Sequence, residues 1–174
     1  MKRIFLALAV VVALFAAFVA TRPGEYKVER SLVVNAPASD VFPRVAVFRK
    51  WTTWSPWAHL DPGMKVEYSG PKGGVGSTYS WKGNDKVGEG RMTLTRAIQD
   101  QFVEIELQFI KPWEQTSKTS FTFQPEGPGT RVTWSMTGER DFVGKLFGLF
   151  MDMDKMVGPD FERGLLALKE KADE

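Results

Sequence analysis

The sequence predicts an α+β domain in which a curved antiparallel sheet of seven strands grips a long carboxy-terminal helix, with an apolar transmembrane helix ahead of it. Three observations carry this expectation. Apolar residues recur in period two over a series of segments separated by turns rich in Gly, Pro and Asp. The final segment, 143 to 173, returns to apolar spacings of three and four. Residues 4 to 20 carry no polar side chain at all.

That first segment, "IFLALAVVVALFAAFVA", would span about 26 Å as a helix, close to a hydrocarbon core of about 30 Å. A membrane span and a signal peptide both fit. A cleaved signal needs small residues at the last and third-last positions before the cut, yet ending at Ala20 or Ala17 puts Phe18 or Phe15 third from last. The expectation is therefore an uncleaved anchor over 1 to 22 and a domain over 23 to 174. Lys2 and Arg3 favour a cytoplasmic amino terminus, which puts the domain on the periplasmic or other extracytoplasmic side of the cell membrane; Arg22, Lys27 and Arg30 weaken that bias.

After the breaker "TRPGE", residues 26 to 35 place Tyr26, Val28, Leu32 and Val34 on one side of a strand. "NAPASDVF" offers Ser39 or Asp40 as a helix N-cap, with Val41, Val45 and Phe48 at helical spacing behind it. "WTTWSPWAHLDP" follows: Trp51 and Trp54 share a helical face, Pro56 stops the helix, and Trp57 can fold back as a plug. Strands are then expected near 64 to 69, 76 to 82, 87 to 97, 102 to 111, 117 to 124 and 130 to 138, joined by "GPKGG", "KGND", "QDQ", "KPWEQ" and "PEGPG". Consecutive strands with short turns make an antiparallel meander. A single long helix closes the chain, with a kink expected at Gly158 and Pro159.

Composition excludes several function classes. Setting aside Lys2, Arg3 and Arg22, which flank the apolar segment, the remaining 20 basic residues meet 21 acidic ones, so a nucleic-acid partner is not expected. With no cysteine, thiolate chemistry and disulfides are excluded, and one histidine gives no basis for a metal site. "KGGVGST" lacks the lysine a phosphate loop places before Ser or Thr and runs into a strand pattern, so it reads as a turn. His59 could serve as a base oriented by Asp61, but a lone His in a Pro-rich and Asp-rich loop is more often a surface or turn residue, and the sequence places no nucleophile beside it. Asp85, Glu89 and Arg91 read as turn residue and surface ion pair. No motif calls for a cofactor.

The motifs "SLVVNAPASDVF", "WTTWSPWAHLDP", "GVGSTYSWKGN", "VGEGRMTLT", "GTRVTWSMTGE" and "LFMDMDKMVGPDFERGLLALK" occur in an order that resembles the START and Bet v 1 superfamily of helix-grip proteins, the SRPBCC proteins, and more closely its bacterial polyketide cyclase/dehydrase-like members. The resemblance covers about residues 26 to 172. It implies an internal cavity between sheet and helix for apolar small molecules or lipids. The alternation supplies candidates for its lining: Tyr68, Tyr79, Trp81 and Met92 on the early strands, Leu107, Phe109, Phe121 and Phe123 in the middle, and Trp134 and Met136 on the last. The tryptophan segment adds Trp54 and Trp57, and the final segment adds Phe147, Phe150, Met151 and Met153, large adaptable groups suited to varied apolar ligands. The function expected is a membrane-tethered binding domain for a lipid or other apolar small molecule. The alternatives are a cyclase or dehydratase acting on a polyketide-like substrate with Tyr68, Tyr79, His59 or Arg91 in acid, base or oxyanion roles, and a partner-binding domain whose interior is only core.

Overall fold

Period-two alternation becomes sheet wherever it occurs. The computed structural model describes residues 2–173, in the order α1 (Lys2–Ala20), β1 (Glu25–Val34), α2 (Ala38–Ala46), a 3-10 helix (Phe48–Thr53), β2 (Lys65–Ser69), β3 (Thr78–Lys82), β4 (Glu89–Ile98), β5 (Phe102–Lys111), β6 (Gln115–Glu126), β7 (Gly129–Glu139), α3 (Phe142–Phe147) and α4 (Met153–Asp173). The seven strands form one antiparallel, curved sheet in the order β1-β7-β6-β5-β4-β3-β2. β2 to β7 make the expected meander, and β1 adds to its far side along β7, from Glu25 opposite Glu139 to Val34 opposite Thr130.

Partners across an antiparallel ladder project to the same face, so the register sorts the inner face into rows. One row runs Leu94, Ile105, Thr119, Met136, Val28; the next runs Val103, Phe121, Trp134, Arg30. All but Arg30 in these rows are buried. α4 lies over β1 and the neighbouring part of β7, and it buries Phe161, Leu165 and Leu168 at the spacing of three and four that the sequence shows. The Phe161 ring stacks on the Trp134 indole with centroids 4.0 Å apart and planes 8° from parallel. Gly164 makes this approach feasible, because a Cβ there would come within 2.7 Å of the Trp134 ring. Arg30, at the end of its row, reaches α4 as well. Its guanidinium donates from Nη1 and Nη2 to the two carboxylate oxygens of Asp154 at 2.7 and 3.0 Å, and from Nε to Glu162 at 2.6 Å. Those bonds hold the Asp154 carboxyl below its ordinary range.

α2 and the 3-10 helix cover the middle of the sheet. The Phe42 ring meets Phe123 edge-on at 5.6 Å, and Trp51 and Trp54 meet Phe121 at 5.9 and 6.1 Å. Both indoles are anchored, Trp51 Nε1 donating to the Val45 carbonyl at 2.9 Å and Trp54 Nε1 to the Arg44 carbonyl at 3.0 Å.

Three local expectations are corrected. The tryptophan segment is 3-10 rather than α-helical, a geometry that eclipses residues three apart and so brings the Trp51 and Trp54 rings within 4.7 Å with their planes tilted by 49°. α2 begins at Ala38 with Pro37 as its N-cap, so Ser39 and Asp40 lie in the first turn and neither caps the helix. The final segment is two helices. α3 closes at Gly148, 3-10-type bonds from Leu149 and Phe150 to Leu146 and Phe147 follow, and the Asp152 carboxylate then accepts the Asp154 N–H at 3.0 Å and starts α4 afresh. Pro159 falls inside α4, which runs through it. Gly158 is there for space, since a Cβ would strike the Arg30 guanidinium.

Gly164→Ala sets two effects against each other. Helix propensity would add about 1 kcal/mol, while overpacking a filled core costs about 1–3 kcal/mol. Trp134 is held between Phe121 and Phe161 and has nowhere to move, so overpacking wins. A net loss of up to about 2 kcal/mol is expected, read as a lower guanidinium chloride midpoint at unchanged slope; an unchanged or raised midpoint would show that the contact yields.

Candidate functional site

α4 follows β1, and the sheet is too wide for it. The rows at the end of the sheet nearest α1 therefore lose their cover away from β1. One such row runs Tyr68, Tyr79, Met92, Leu107, Ser117, Gly138, Tyr26, and the one beyond it runs Val66, Trp81, Gly90, Phe109, Gln115. Tyr68, Tyr79, Trp81, Leu107 and Phe109 are half-buried, on the inner face but not closed over. Their rings form a chain. Tyr79 stands 5.4 Å from Tyr68, 6.2 Å from Phe48 and 5.9 Å from Trp81, which in turn meets Phe109 edge-on at 6.1 Å. Trp81 is fixed by a 2.9 Å hydrogen bond from Nε1 to the Val87 carbonyl.

Where this face meets β1 it becomes polar. Gln115 Nε2 donates to Tyr26 Oη at 2.8 Å, which leaves the phenol free to donate to Ser117 Oγ, also at 2.8 Å. Gly138 opposite Tyr26 leaves room for the ring, and the Arg140 guanidinium lies 5.2 Å above it. A ligand on this face would find an aromatic floor and one hydroxyl cluster at its edge.

The phenols of the floor are neutral. Burial pushes Tyr79 up to about 12, with Tyr68 beside it adding to the rise. Burial also raises Tyr68, against the opposing pull of the Arg49 guanidinium 4.3 Å over its ring. Both act as hydrogen-bond donors across the physiological range and as proton acceptors from nothing.

The residues singled out from the sequence divide into three groups. Trp54, Met92, Phe121, Phe123, Trp134 and Met136 are buried. Trp134 stacks on Phe121 at 4.8 Å and meets Trp54 edge-on at 5.7 Å, while half-buried Trp57 stands edge-on to Trp134 and Phe161 at 5.8 and 6.3 Å. Rings thus fill the space between mid-sheet and helices, where the Trp134 indole N–H finds no acceptor among the described residues. Tyr68, Tyr79, Trp81, Leu107 and Phe109 make the open floor, with half-buried Met153 at the start of α4. Phe147, Phe150 and Met151 are exposed around the end of α3. Two hollows stand out among the described residues: one of about 50 Å³ between Phe48, Arg49, Tyr68 and Ser77, and an open one of about 510 Å³ at the other end of the sheet, around Arg96, Ile98, Phe102, Phe123 and Pro125.

Of the residues considered for acid–base chemistry, Tyr68 and Tyr79 line the floor, while His59 and Arg91 lie off the inner face. His59 is exposed and its Nε2 sits 3.0 Å from the Thr52 carbonyl. Asp61 does not orient it; the Asp61 carboxylate accepts the N–H groups of Gly63 and Asn84 at 2.8 and 2.7 Å and so ties two loops together. Arg91 faces outward and donates to Ser80 Oγ at 3.2 Å, and Glu89 pairs with Lys82 and Lys111, which lie across the neighbouring strands, instead of with Arg91. The glycines of "KGGVGST" turn into β3, and the amides of Gly74, Gly76 and Ser77 are bonded to backbone carbonyls.

Sequence reasoning missed the Tyr26, Ser117 and Gln115 cluster and the role of Arg30. The signal was available in part: extending the Phe123, Phe121 alternation backward puts Thr119, Ser117 and Gln115 on the inner face. Arg30 has the same parity as Val28 and Leu32 and was hidden by its charge.

Comparison with known proteins agrees with this architecture. Residues 25–173 match the family described as polyketide cyclase / dehydrase and lipid transport. Among solved structures, a Chromobacterium violaceum protein superposes with a TM-score of 0.62 at 12% identity, covering 85% of this chain and 97% of its own. The Aha1 dimer from Colwellia psychrerythraea gives 0.61 at 17% identity, over 84% and 96%, and major latex-like protein 151 from Panax ginseng gives 0.60 at 12%, over 85% and 97%. At these identities the likeness is one of fold. No curated protein sequence matches the chain.

The raised Tyr79 value has a consequence at high pH. A group whose pKa is higher when folded contributes stability that is intact below its unfolded value near 10 and is lost as pH rises through the folded value near 12. Absorbance at 295 nm should show one tyrosine titrating near 12 in the folded chain, and Tyr79→Phe should remove that step along with part of the alkaline destabilisation. A Tyr79 that titrates near 10 would mean the floor is fully wet.

Proposed function

The chain belongs to the polyketide cyclase/dehydrase and lipid transport family of the SRPBCC superfamily, and we propose that it is a membrane-tethered binding domain for a lipid or other apolar small molecule. The ligand lies on the uncovered half of the inner face, against Tyr68, Tyr79, Trp81, Leu107 and Phe109. The observation that carries this reading is the incomplete cover over these side chains. Five large apolar groups on the inner face of a folded domain retain exposure, and each would gain from losing the rest of it at about 25 cal/mol per Å². Tyr26, Ser117 and Gln115 bind the polar end.

The tether is α1, long and apolar enough to cross a membrane and exposed along its length except at half-buried Ala16 and buried Val19. We read it as an anchor that keeps the domain at the bilayer, with the domain on the extracytoplasmic side. Transport between membranes and transient storage both need only reversible uptake, which an open face permits. A cyclase or dehydratase would call on Tyr68, Tyr79, His59 or Arg91; the two phenols line this face, with burial holding them neutral, while His59 and Arg91 lie off it, so no base stands beside them among the described residues.

The test uses the domain from residue 23, which carries all seven strands. Titration with cis-parinaric acid, followed by energy transfer from tryptophan, should give saturable binding. Trp81→Ala should weaken it by at least about tenfold, roughly 1.4 kcal/mol, with little change in the unfolding midpoint. Binding that does not saturate, or that Trp81→Ala leaves intact, would contradict the assignment.

A further inference from the structure

Outside α1, exposed large apolar side chains concentrate in one neighbourhood: Phe142, Val143, Phe147, Phe150 and Met151 in and after α3, and Trp113 in the turn between β5 and β6. Phe150 is 81% and Trp113 72% exposed. Single exposed apolar residues are normal, whereas a contiguous group marks a contact. This group is contiguous, because the Trp113 ring lies 6.3 Å from the Phe147 ring and so joins the β5–β6 turn to α3.

Its position identifies the occupant. α3 packs against α1, whose one buried residue is Val19, and Lys145 of α3 donates from Nζ to the carbonyl of Ala20, the last residue of α1, at 3.2 Å. A 19-residue helix is about 28 Å long, so if α1 crosses the hydrocarbon its end stands at the boundary with the headgroups. α3 and Trp113 are then at that same level. The composition suits the layer: tryptophan prefers the interface, phenylalanine suits the apolar side of a segment lying in it, and Arg22 and the exposed Lys155, loosely paired with Asp152 at 4.0 Å, can reach anionic headgroups. Of the acids nearby, Asp141 and Asp152 accept the N–H groups of Gly144 and Asp154, and Glu114 beside Trp113 is exposed.

We propose that α3, residues 148–152 and the Trp113 turn form a second membrane contact, a lipid-facing surface that lies in the interfacial layer of the bilayer α1 spans. The contact orients the domain. Tyr26 and Gln115, at the edge of the open floor, are each only a few residues from this surface, Tyr26 through Gly24 beside Lys145 and Gln115 through Trp113. The floor is thereby held with its rim at the lipid, and a ligand leaving the bilayer need not cross water. The inference rests on the reading of α1 as an anchor, and the experiment separates the two.

The chain contains no cysteine, so a single introduced one can carry an environment-sensitive nitrobenzoxadiazole label. Three full-length variants are reconstituted in phosphatidylcholine/phosphatidylglycerol vesicles containing nitroxide lipids: Phe150→Cys in the surface, Phe15→Cys in α1, and Gln124→Cys at the far end of the sheet. The labels at 150 and 15 should be blue-shifted and quenched, at 150 by about threefold or more over 124, with shallow nitroxides most effective at 150. A label at 150 as wet and unquenched as that at 124, with 15 quenched, would overturn the second contact and leave the anchor standing. A label at 150 that is blue-shifted but unquenched would show that protein, a second copy or a partner, covers the surface, which also overturns it. No quenching at 15 would remove the anchor and the contact together.

Discussion

The structure is governed by a mismatch between the width of its sheet and the width of what covers it. Seven strands at about 4.8 Å spacing make a sheet about 29 Å across, and a helix with side chains is about 10 Å thick. α4 can therefore shield little more than the β1 and β7 side. α2 and the 3-10 helix close the middle. The inner face of β2 to β5 toward α1 is what remains, and its half-buried aromatic residues are the physical consequence.

The covered half makes the open half usable. Trp134 is clamped between Phe121 and Phe161, and each such ring pair adds about 0.5–1.5 kcal/mol beyond its buried area. Arg30 fastens the start of α4 to the end of the same row through Asp154 and Glu162, and Gly158 and Gly164 let the helix come this close. With β1, β7 and α4 rigidly joined, the floor from Tyr68 to Phe109 is carried on a fixed sheet and does not have to be assembled by the ligand. The hydroxyl cluster of Tyr26, Ser117 and Gln115 sits where the two halves meet, and its internal hydrogen bonds set its geometry before anything binds.

Much of this was legible in the sequence, for reasons that also explain where legibility ended. Each strand was readable because alternation reports which side of a strand leaves water, and turn residues such as Gly70 and Gly88, both at positive φ, mark where it stops. Tyr68, Tyr79, Trp81, Leu107 and Phe109 were readable as inner-face residues in the same way. The division of the inner face into a closed and an open part was not, because it depends on where α4 lands, and that is decided by Arg30, Gly158 and Gly164 in three dimensions. The single long helix failed for a related reason. Leu146, Phe150 and Met153 keep helical spacing across the break at 148–152, and spacing records that side chains are apolar without recording whether one helix carries them or what they meet, as Phe150, 81% exposed, shows.

Family membership and an incompletely covered aromatic face support a domain that binds apolar molecules, and the apolar helix at the amino terminus is the basis for proposing that it does so beside a membrane. The claim at the centre of this account is that the uncovered half of the inner face is where the ligand sits. Photolabelling the domain with a diazirine-bearing fatty acid, followed by peptide mass spectrometry, tests it most directly. The account predicts adducts on β3 to β5 at Tyr79, Trp81, Leu107 and Phe109 that unlabelled fatty acid competes away; competable adducts confined to the far-end hollow around Phe102 and Pro125 would contradict it.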